Sequence, residues 1–247
     1  MAIIDNAKKM LTEECNKNNL KACGLLGRIY FDENTSKSYT QAEELLLKAC
    51  NGGLNRACYD LGVIYGIKQD VSQEINFYKK ACDNNIIEAC YNLGTMYFEG
   101  SSIKKDYSEA KKLFEKACDY GRDMESCNSL GFMYNHGFGM KTNFEKAIEL
   151  YTLSCNAGNS KSCHNLGSLY DNGKHVKENK TKAKELYEQA CKSENLNSCH
   201  NLAVLYFEGD GVKKNNKIAL QLFRKACQNG NQRSCEAIQY LNEKGIK

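Results

Sequence analysis

The chain has 247 residues, a small net charge of +4 and 42% hydrophobic residues, and it contains neither proline nor tryptophan. Its charges are interspersed and form no basic stripe, which argues against nucleic acid as a partner. No apolar stretch is long enough to cross a bilayer, so we expect no membrane insertion. The hydrophobic share is sufficient for one continuous core.

The N-terminal segment predicts a helix and not an export signal. MAIIDNAKKMLTEEC is amphipathic and lacks the long apolar region of a signal peptide. If the protein is exported, we expect this chain to be a mature form to which an initiator methionine was added.

Cysteine spacing is the strongest pattern in the chain. Fourteen cysteines form seven pairs, which recur every 32 to 37 residues, and six pairs read C-x7-C. The pairs are Cys15/Cys23, Cys50/Cys58, Cys82/Cys90, Cys118/Cys127 with one extra residue, Cys155/Cys163, Cys191/Cys199 and Cys227/Cys235. A period of this size is typical of stacked repeats. We therefore predict one all-α solenoid, with a capping helix over 1–19, six helix-pair repeats over 20–230 and a capping segment over 231–247.

An even number of cysteines favours disulfides and an oxidising compartment. Two regular pairings are possible: within each C-x7-C pair, or from the second cysteine of one pair to the first of the next. The short pairing uses all fourteen, whereas the long one leaves Cys15 and Cys235 unpaired. The short pairing also joins two antiparallel helices across a turn, near bridging distance. Zinc is disfavoured because no cysteines have the C-x2-4-C spacing of structural sites.

Each repeat predicts two helices. The first carries C-x2-L-G-x2-Y, as in Leu93, Gly94 and Tyr97, and its glycine indicates close approach of a neighbouring helix. The second carries two small residues two turns apart, as in Ala110 and Ala117, where helices can cross closely. The following residues stand three positions after the cysteine that ends the second helix, and they predict a left-handed helix end: Gly53, Gly121, Gly158 and Gly230.

These motifs resemble the Sel-one-like repeat, a relative of the tetratricopeptide repeat, over about residues 2–240. The cysteine pair in every unit is similar to the Helicobacter cysteine-rich protein family. The resemblance implies a right-handed αα superhelix with one disulfide per repeat, in a secreted or periplasmic protein. It also implies two functions: interaction with host or envelope proteins, including immune stimulation, and penicillin binding with weak β-lactamase activity.

The residues give little support to catalysis. Serine β-lactamases use S-x-x-K with further S-D-N-like and K-T-G-like elements. The chain has S-x-x-K at Ser101, Ser102 and Ser108, but it has no S-D-N or K-T-G. The four histidines, His136, His164, His175 and His200, are scattered along the sequence, which argues against a metal site. We assign no catalytic residue, metal or cofactor, and a β-lactam or cell-wall fragment remains the alternative ligand.

A binding groove is the better hypothesis, because the curvature of a solenoid creates a concave face lined by one helix of each unit. Small polar residues stand two positions after the second cysteine of each pair, and others follow one turn later. The predicted groove residues are Asp60, Asn92, Ser129, Asn165 and Asn201, extended by Thr95 and Ser168. Asparagine can both donate to and accept from a peptide backbone. Alternatively, these residues cap neighbouring backbone or face water. We expect a monomer that binds a protein or an extended peptide.

Overall fold

The computed structural model describes residues 2–173 and 175–245, which form fourteen α-helices. They are α1 (Ala2–Asn16), α2 (Leu20–Asp32), α3 (Ser36–Asn51), α4 (Asn55–Ile67), α5 (Val71–Asp83), α6 (Ile87–Glu99), α7 (Tyr107–Asp119), α8 (Met124–His136), α9 (Phe144–Asn156), α10 (Ser160–Asn172), α11 (Lys180–Lys192), α12 (Leu196–Glu208), α13 (Asn216–Gln228) and α14 (Gln232–Glu243). Among the described helices, none combines the length and the apolar character needed to span a membrane.

The described chain divides into two compact units, one ending at Asp123 and the other beginning at Met124. In the N-terminal unit, α2 packs on α3, α4 on α5 and α6 on α7, and each pair contacts the next. The C-terminal unit repeats this arrangement with α8 on α9, α10 on α11 and α12 on α13. Each unit is therefore a stack of helix pairs, and the predicted all-helical repeat fold is confirmed.

Most helices begin at a side-chain cap. Asn143, Asn179 and Asn215 precede second helices, and the side-chain oxygen of each accepts a hydrogen bond from a backbone N–H three residues later. Asn159 and Asn195 cap first helices in the same way. Such oxygens satisfy backbone donors that have no partner within the helix. A recurrent asparagine thus sets where α9 to α13 begin.

Small residues allow the paired helices to pack closely, as the sequence predicts. A Cβ atom placed on Gly94 of α6 would lie 2.8 Å from a ring carbon of Phe114 on α7. The second-helix positions Ala110 and Ala117 are fully buried. In α9, Ser154 stands at the second of these two positions, which is equivalent to Ala117. Its hydroxyl donates a hydrogen bond to the carbonyl oxygen of Met124 at 2.8 Å.

Short-range disulfides join successive helices. The bonds Cys15–Cys23, Cys50–Cys58, Cys82–Cys90, Cys155–Cys163, Cys191–Cys199 and Cys227–Cys235 have Cα–Cα distances of 4.7 to 5.0 Å. Cys118 and Cys127 each take part in a disulfide as well. The short pairing is therefore confirmed for the six C-x7-C pairs.

One predicted helix end is wrong. Gly53, Gly158 and Gly230 adopt the left-handed conformation, with φ between 95° and 100°. Gly121 does not, and the left-handed residue after α7 is Arg122, with φ of 48°. The extra residue between Cys118 and Cys127 moves this position by one, so that a residue with a side chain carries the strained conformation.

Candidate ligand-binding surface

The predicted groove residues lie on the first helices of the pairs. Each unit has its own first-helix face, which consists of α2, α4 and α6 in the N-terminal unit and of α8, α10 and α12 in the C-terminal unit. Asp60 and Asn92 occupy α4 and α6, and these two helices contact each other directly. The candidates of the C-terminal unit are Ser129 on α8, Asn165 and Ser168 on α10 and Asn201 on α12.

Two of the candidate asparagines hold a tyrosine of the preceding helix. The side chain of Asn92 lies beside the hydroxyl of Tyr78 and that of Asn201 beside the hydroxyl of Tyr187, where each opposes the rise in the tyrosine pKa. The hydroxyl of Tyr187 also donates to the Oδ2 atom of Asp171 at 3.2 Å. Both tyrosines are buried, with 5% and 0% of their surface exposed. Burial raises the pKa of Tyr78 to about 12, and the amide therefore meets a protonated hydroxyl. These asparagines have a structural partner as well as a half-buried position on the first-helix face.

Asn165 departs from this pattern. Its side chain donates a hydrogen bond to the Oδ1 atom of Asn128 on α8, at 3.0 Å, instead of pairing with Tyr151. Tyr151 is 1% exposed, and its hydroxyl has no hydrogen-bond partner among the described residues. Burial raises its pKa, so the group stays protonated and remains a hydrogen-bond donor.

Asn128 explains the departure. It stands one residue after the second cysteine, where α10 and α12 carry His164 and His200. The Nδ1 atom of each histidine lies 2.9 Å from a serine hydroxyl of the next repeat, Ser198 and Ser234 respectively. Asn128 accepts the equivalent bond from Ser162, at 3.0 Å, and the same oxygen also accepts from Asn165. Asn128 thus gives Asn165 an amide acceptor, where the equivalent neighbour of Asn201 is the ring of His164.

Tyr151 and Asn165 line a cleft between α8, α9 and α10, which we call the α8–α10 cleft. Its volume is about 1000 Å³. Its lining includes Asn135, His136, Phe144, Tyr151, Asn165 and Ser168, and none of its described lining residues is lysine, arginine, aspartate or glutamate. The Oδ1 atom of Asn135 is buried and has no hydrogen-bond partner among the described residues. The ring of Phe144 stacks on His175, with centroids 3.5 Å apart.

The histidines are less scattered than the sequence suggests. His136, His164 and His175 all line the α8–α10 cleft, whereas His200 is buried between α12 and α14, at 6% exposure. Burial lowers the pKa of His164 and of His200. In the part of the chain that the structure describes, no group of three or more histidine, cysteine or acidic side chains could hold a metal ion.

Asp60 has different surroundings in the N-terminal unit. It is 7% exposed, and its carboxylate lies 3.8 Å from the Nε atoms of both Arg28 and Arg56. Burial raises its pKa, against the opposing effect of the two guanidinium groups. It borders a cavity of about 270 Å³ whose walls include Leu25 and Leu54.

The remaining candidates occupy less enclosed positions. Ser129 and Thr95 are half-buried on their helices. The hydroxyl of Ser168 accepts a hydrogen bond from Asn172 at 3.1 Å. Ser168 also borders a second cavity, of about 310 Å³, together with Asn201. The structure thus brings Ser168 together with Asn165 in one cavity and with Asn201 in another.

Sequence reasoning missed the tyrosine row of the second helices. Tyr78, Tyr151 and Tyr187 stand fourteen residues before Asn92, Asn165 and Asn201 respectively. The same repeat position holds Leu46, Phe114 and Phe223, all without a hydroxyl. Aligning the second helices on their small residues reveals this row, in which only some repeats place a polar atom in the core.

The S-x-x-K serines lie on the surface. Ser101, Ser102 and Ser108 have exposed side chains, the first two in the segment between α6 and α7 and the third in the first turn of α7. Lys111, the lysine that follows Ser108, pairs with Glu115 at 3.0 Å.

The fold and its bonds define a class of protein: an all-helical repeat protein with disulfide-linked helix pairs. The Sel1 repeat model matches residues 20–54, 55–86, 87–121, 125–159, 160–195 and 196–231, and the chain belongs to that family. No curated protein sequence shows a significant match to the chain.

Solved structures share the fold. A protective antigen present in uropathogenic Escherichia coli strains is 31% identical, with a TM-score of 0.88 over 97% of this chain and 52% of that one. The present chain therefore spans about half the length of that antigen. A Sel1 repeat protein from Oxalobacter formigenes is 24% identical, with a TM-score of 0.76 over 90% of this chain and 91% of its own. Helicobacter pylori cysteine rich protein B is 32% identical over 56% of this chain and 98% of its own, with a TM-score of 0.44.

Proposed function

We propose that this chain is a secreted or periplasmic scaffold that binds host or envelope proteins, or extended peptides, through its first-helix face. The observation that carries the proposal is the α8–α10 cleft, about 1000 Å³ in volume, which includes the predicted groove residues Asn165 and Ser168. A volume of this size lies at the upper end of the range for specific ligand pockets.

The disulfides support a location outside the cytoplasm. Such bonds persist in oxidising compartments and are rare where thiols are kept reduced. Twelve cysteines form six regular bonds between neighbouring helices, and none of the described cysteines is free. Similarity to an antigen of uropathogenic Escherichia coli supports a protein that meets a host.

The polar side chains of the first-helix face support a peptide as the partner. Side-chain amides donate and accept hydrogen bonds and so complement a peptide backbone. Asn92 and Asn201 are half-buried and held in place by tyrosine hydroxyls. An amide fixed in this way loses less conformational entropy when it binds.

The test is a selection of random twelve-residue peptides on the immobilised, oxidised full chain, followed by calorimetric titration of the selected peptides. We expect the set to contain peptides whose affinity falls about tenfold or more when either Asn165→Ala or Asn201→Ala is introduced. The hydroxyl of Tyr187 keeps its bond to Asp171 when Asn201→Ala is introduced, so we expect that variant to remain folded. The proposal fails if no peptide is enriched above a surface without protein.

A further inference from the structure

An apolar cavity with a basic rim lies between α2 and α4 in the N-terminal unit. Its volume is about 270 Å³, and Leu25, Leu54 and Ala57 form apolar parts of its wall. Leu25 is a large hydrophobic side chain, yet it is 55% exposed. Pockets for small molecules commonly measure about 300–1,000 Å³, so this smaller cavity suits a single side chain of a larger partner.

Leu25 departs from the pattern of the other first helices. It stands two positions after Cys23, and the equivalent positions in α4, α6, α8, α10 and α12 hold polar residues: Asp60, Asn92, Ser129, Asn165 and Asn201. Those five residues are buried or half-buried, whereas Leu25 is exposed. The first repeat therefore presents an apolar side chain to solvent where the others carry a polar one, and exposed apolar surface with a polar rim is typical of interaction sites.

Three cationic side chains line the same cavity. Lys21 and Arg28 come from α2, and Arg56 comes from the first turn of α4. Lys21, Leu25 and Arg28 follow the spacing i, i+4, i+7 and so share one face of α2. Lys21 is exposed, and the side chain of Arg28 is 53% exposed. Their long stems give the charged groups freedom to reach a ligand above Leu25.

Nearby carboxylates occupy Arg56 but leave Arg28 with bonding capacity. Arg56 donates from Nη1 to the Oε1 atom of Glu88 at 2.5 Å. The carboxylate of Asp60 lies 3.8 Å from the Nε atom of Arg28, beyond hydrogen-bonding distance. Asp32 stands one turn after Arg28 on α2 and forms no ion pair with any described residue. The guanidinium of Arg28 can therefore accept a further carboxylate in a bidentate bond.

Lys21 also lacks an acidic partner. It forms no ion pair with any described residue. The same repeat position, two residues before the second cysteine, holds Arg56 in α4 and Lys161 in α10. Arg56 pairs with Glu88, and Lys161 pairs with Glu125 at 2.9 Å. The chain thus supplies an acidic partner from a neighbouring repeat to both of these cations and supplies none to Lys21.

The geometry points to a partner of defined chemistry for this cavity: an extended peptide segment in which one apolar residue has aspartate or glutamate two positions before and two positions after it. The assignment rests on the proposed peptide-binding function and deepens it by naming the peptide. The apolar side chain enters beside Leu25 and Leu54, and the two carboxylates bind Lys21 and Arg28.

The spacing of the cations agrees with this segment. In an extended chain, side chains two positions apart point to the same side, so the apolar residue and both carboxylates face α2 together. The outer two lie about 13 Å apart. Lys21 and Arg28 are separated by about 10 Å along the helix axis, and their flexible side chains can bridge the difference.

Charge and shape disfavour other partners. A basic segment would bring further cations to a rim that already carries three. An uncharged apolar segment would desolvate Lys21 and Arg28 without offering them a partner. An anionic membrane surface would meet the cations but leave the concave apolar wall unfilled.

The test uses three sets of eight-residue peptides with blocked termini, each with one leucine, isoleucine or phenylalanine. The positions two residues to either side carry aspartate or glutamate in the acidic set, asparagine or glutamine in the amide set, and lysine or arginine in the basic set. Each set is selected on the oxidised full chain, and fluorescence anisotropy measures affinity. We expect the best acidic peptide to bind more tightly than its amide counterpart and to weaken as salt is added, because salt screens exposed ion pairs.

Two variants locate the site. Lys21→Gln should weaken the best acidic peptide about twofold to fivefold, as loss of one exposed ion pair would. Leu25→Asn should weaken it about tenfold, because the apolar wall is lost. Neither variant should lower the melting temperature, because both side chains are exposed. Lys161→Gln is the matched control: it removes the same charge at the same repeat position in the other unit, and it should leave the affinity unchanged.

Several results would overturn the assignment. Equal weakening by Lys21→Gln and Lys161→Gln would indicate attraction to the net charge of the chain, and unchanged affinity in Leu25→Asn would remove the cavity from the site. Vesicles containing phosphatidylglycerol that bind through Lys21, while acidic peptides do not, would replace the peptide with a membrane surface. Enrichment of the amide set alone, through Asn165 or Asn201, would overturn the acidic assignment and leave the proposed function standing. Failure of all three sets to bind would reject both.

Discussion

Replacing Gly94 with alanine adds one methyl group between α6 and α7 and so tests how closely the two helices pack. Gly94→Ala should gain up to about 1 kcal/mol from helix propensity. The new Cβ atom would lie 2.8 Å from a ring carbon of Phe114, and overpacking of this kind costs about 1–3 kcal/mol. Because the steric cost exceeds the propensity gain, we expect a net loss of up to about 2 kcal/mol in the free energy of unfolding, measured by urea denaturation with the disulfides intact.

A double variant separates the two effects. Gly94→Ala combined with Phe114→Leu should lose less than the sum of the two single changes, because the smaller side chain makes room for the methyl group. Strict additivity would show that the ring is not what excludes a side chain at position 94.

Buried histidines should make stability depend on pH. Burial lowers the pKa of His164 and His200 below the usual 6.5, so the unfolded chain takes up protons at a higher pH than the folded protein. Their contribution is complete above about pH 6.5 and is lost as the pH falls towards their folded pKa values. The raised pKa of Asp60 acts in the opposite direction, because protonation of that carboxyl favours the folded state.

The measurement compares urea unfolding at about pH 7.5 and about pH 5.5. At the lower pH the two histidines bind more protons in the unfolded chain than in the folded protein. We expect a lower free energy of unfolding at the lower pH. The drop should be smaller in a His164→Gln, His200→Gln double variant. An equal drop in both proteins would assign the effect to other groups.

The sequence predicts the packing residues better than the polar contacts. Gly94, Ala110 and Ala117 recur with the repeat, and repetition alone reveals that small side chains are needed there. The choice of Asn165 between Tyr151 and Asn128 depends on a side chain 37 residues away and on which of two nearby groups it reaches. No periodic pattern contains that information. The groove functions of all seven candidates stay predictions: Asp60, Asn92, Thr95, Ser129, Asn165, Ser168 and Asn201.

At the level of single helices, the caps make a separable contribution. Asn179 is exposed, and its side chain accepts a hydrogen bond from the backbone N–H of Lys182 at 2.9 Å, which fixes the start of α11. Asn179→Ala should lower the free energy of unfolding by about 1 kcal/mol. Asn179→Asp should change that free energy little, because aspartate also caps helices. Equal losses in the two variants, measured by urea denaturation, would show that the side-chain oxygen does not act as a cap.

The helix ends show where a repeat pattern misleads. Gly53, Gly158 and Gly230 follow the pattern and are left-handed, but the insertion before Cys127 assigns that conformation to Arg122. Sequence alignment places Gly121 at the expected position because it counts from Cys118. Backbone geometry depends instead on where the chain must turn towards the next helix, and one inserted residue moves that point.

On the scale of the whole molecule, stability should be local. Helices within each unit contact mainly their neighbours in the stack, and in such proteins stability is approximately a sum over nearest neighbours. Replacing Cys82 and Cys90 with alanine removes a short bridge worth about 2–3 kcal/mol. Hydrogen exchange should then become faster in α5 and α6 and in the adjacent α4, and it should stay unchanged in α12 and α13. Uniformly faster exchange across both units would contradict this.

The same short bridges determine how the chain can be oxidised. Partners in the six regular bonds are eight residues apart, whereas the nearest competing cysteine lies at least 24 residues away in sequence. Loop-closure entropy alone favours the nearer partner by about 1 kcal/mol. If the chain is exported with the N-terminus leading, both cysteines of one pair emerge before the first cysteine of the next pair. Each short bridge can then close before a new competitor arrives, and we expect the chain to reach its native set of bonds with little disulfide isomerisation.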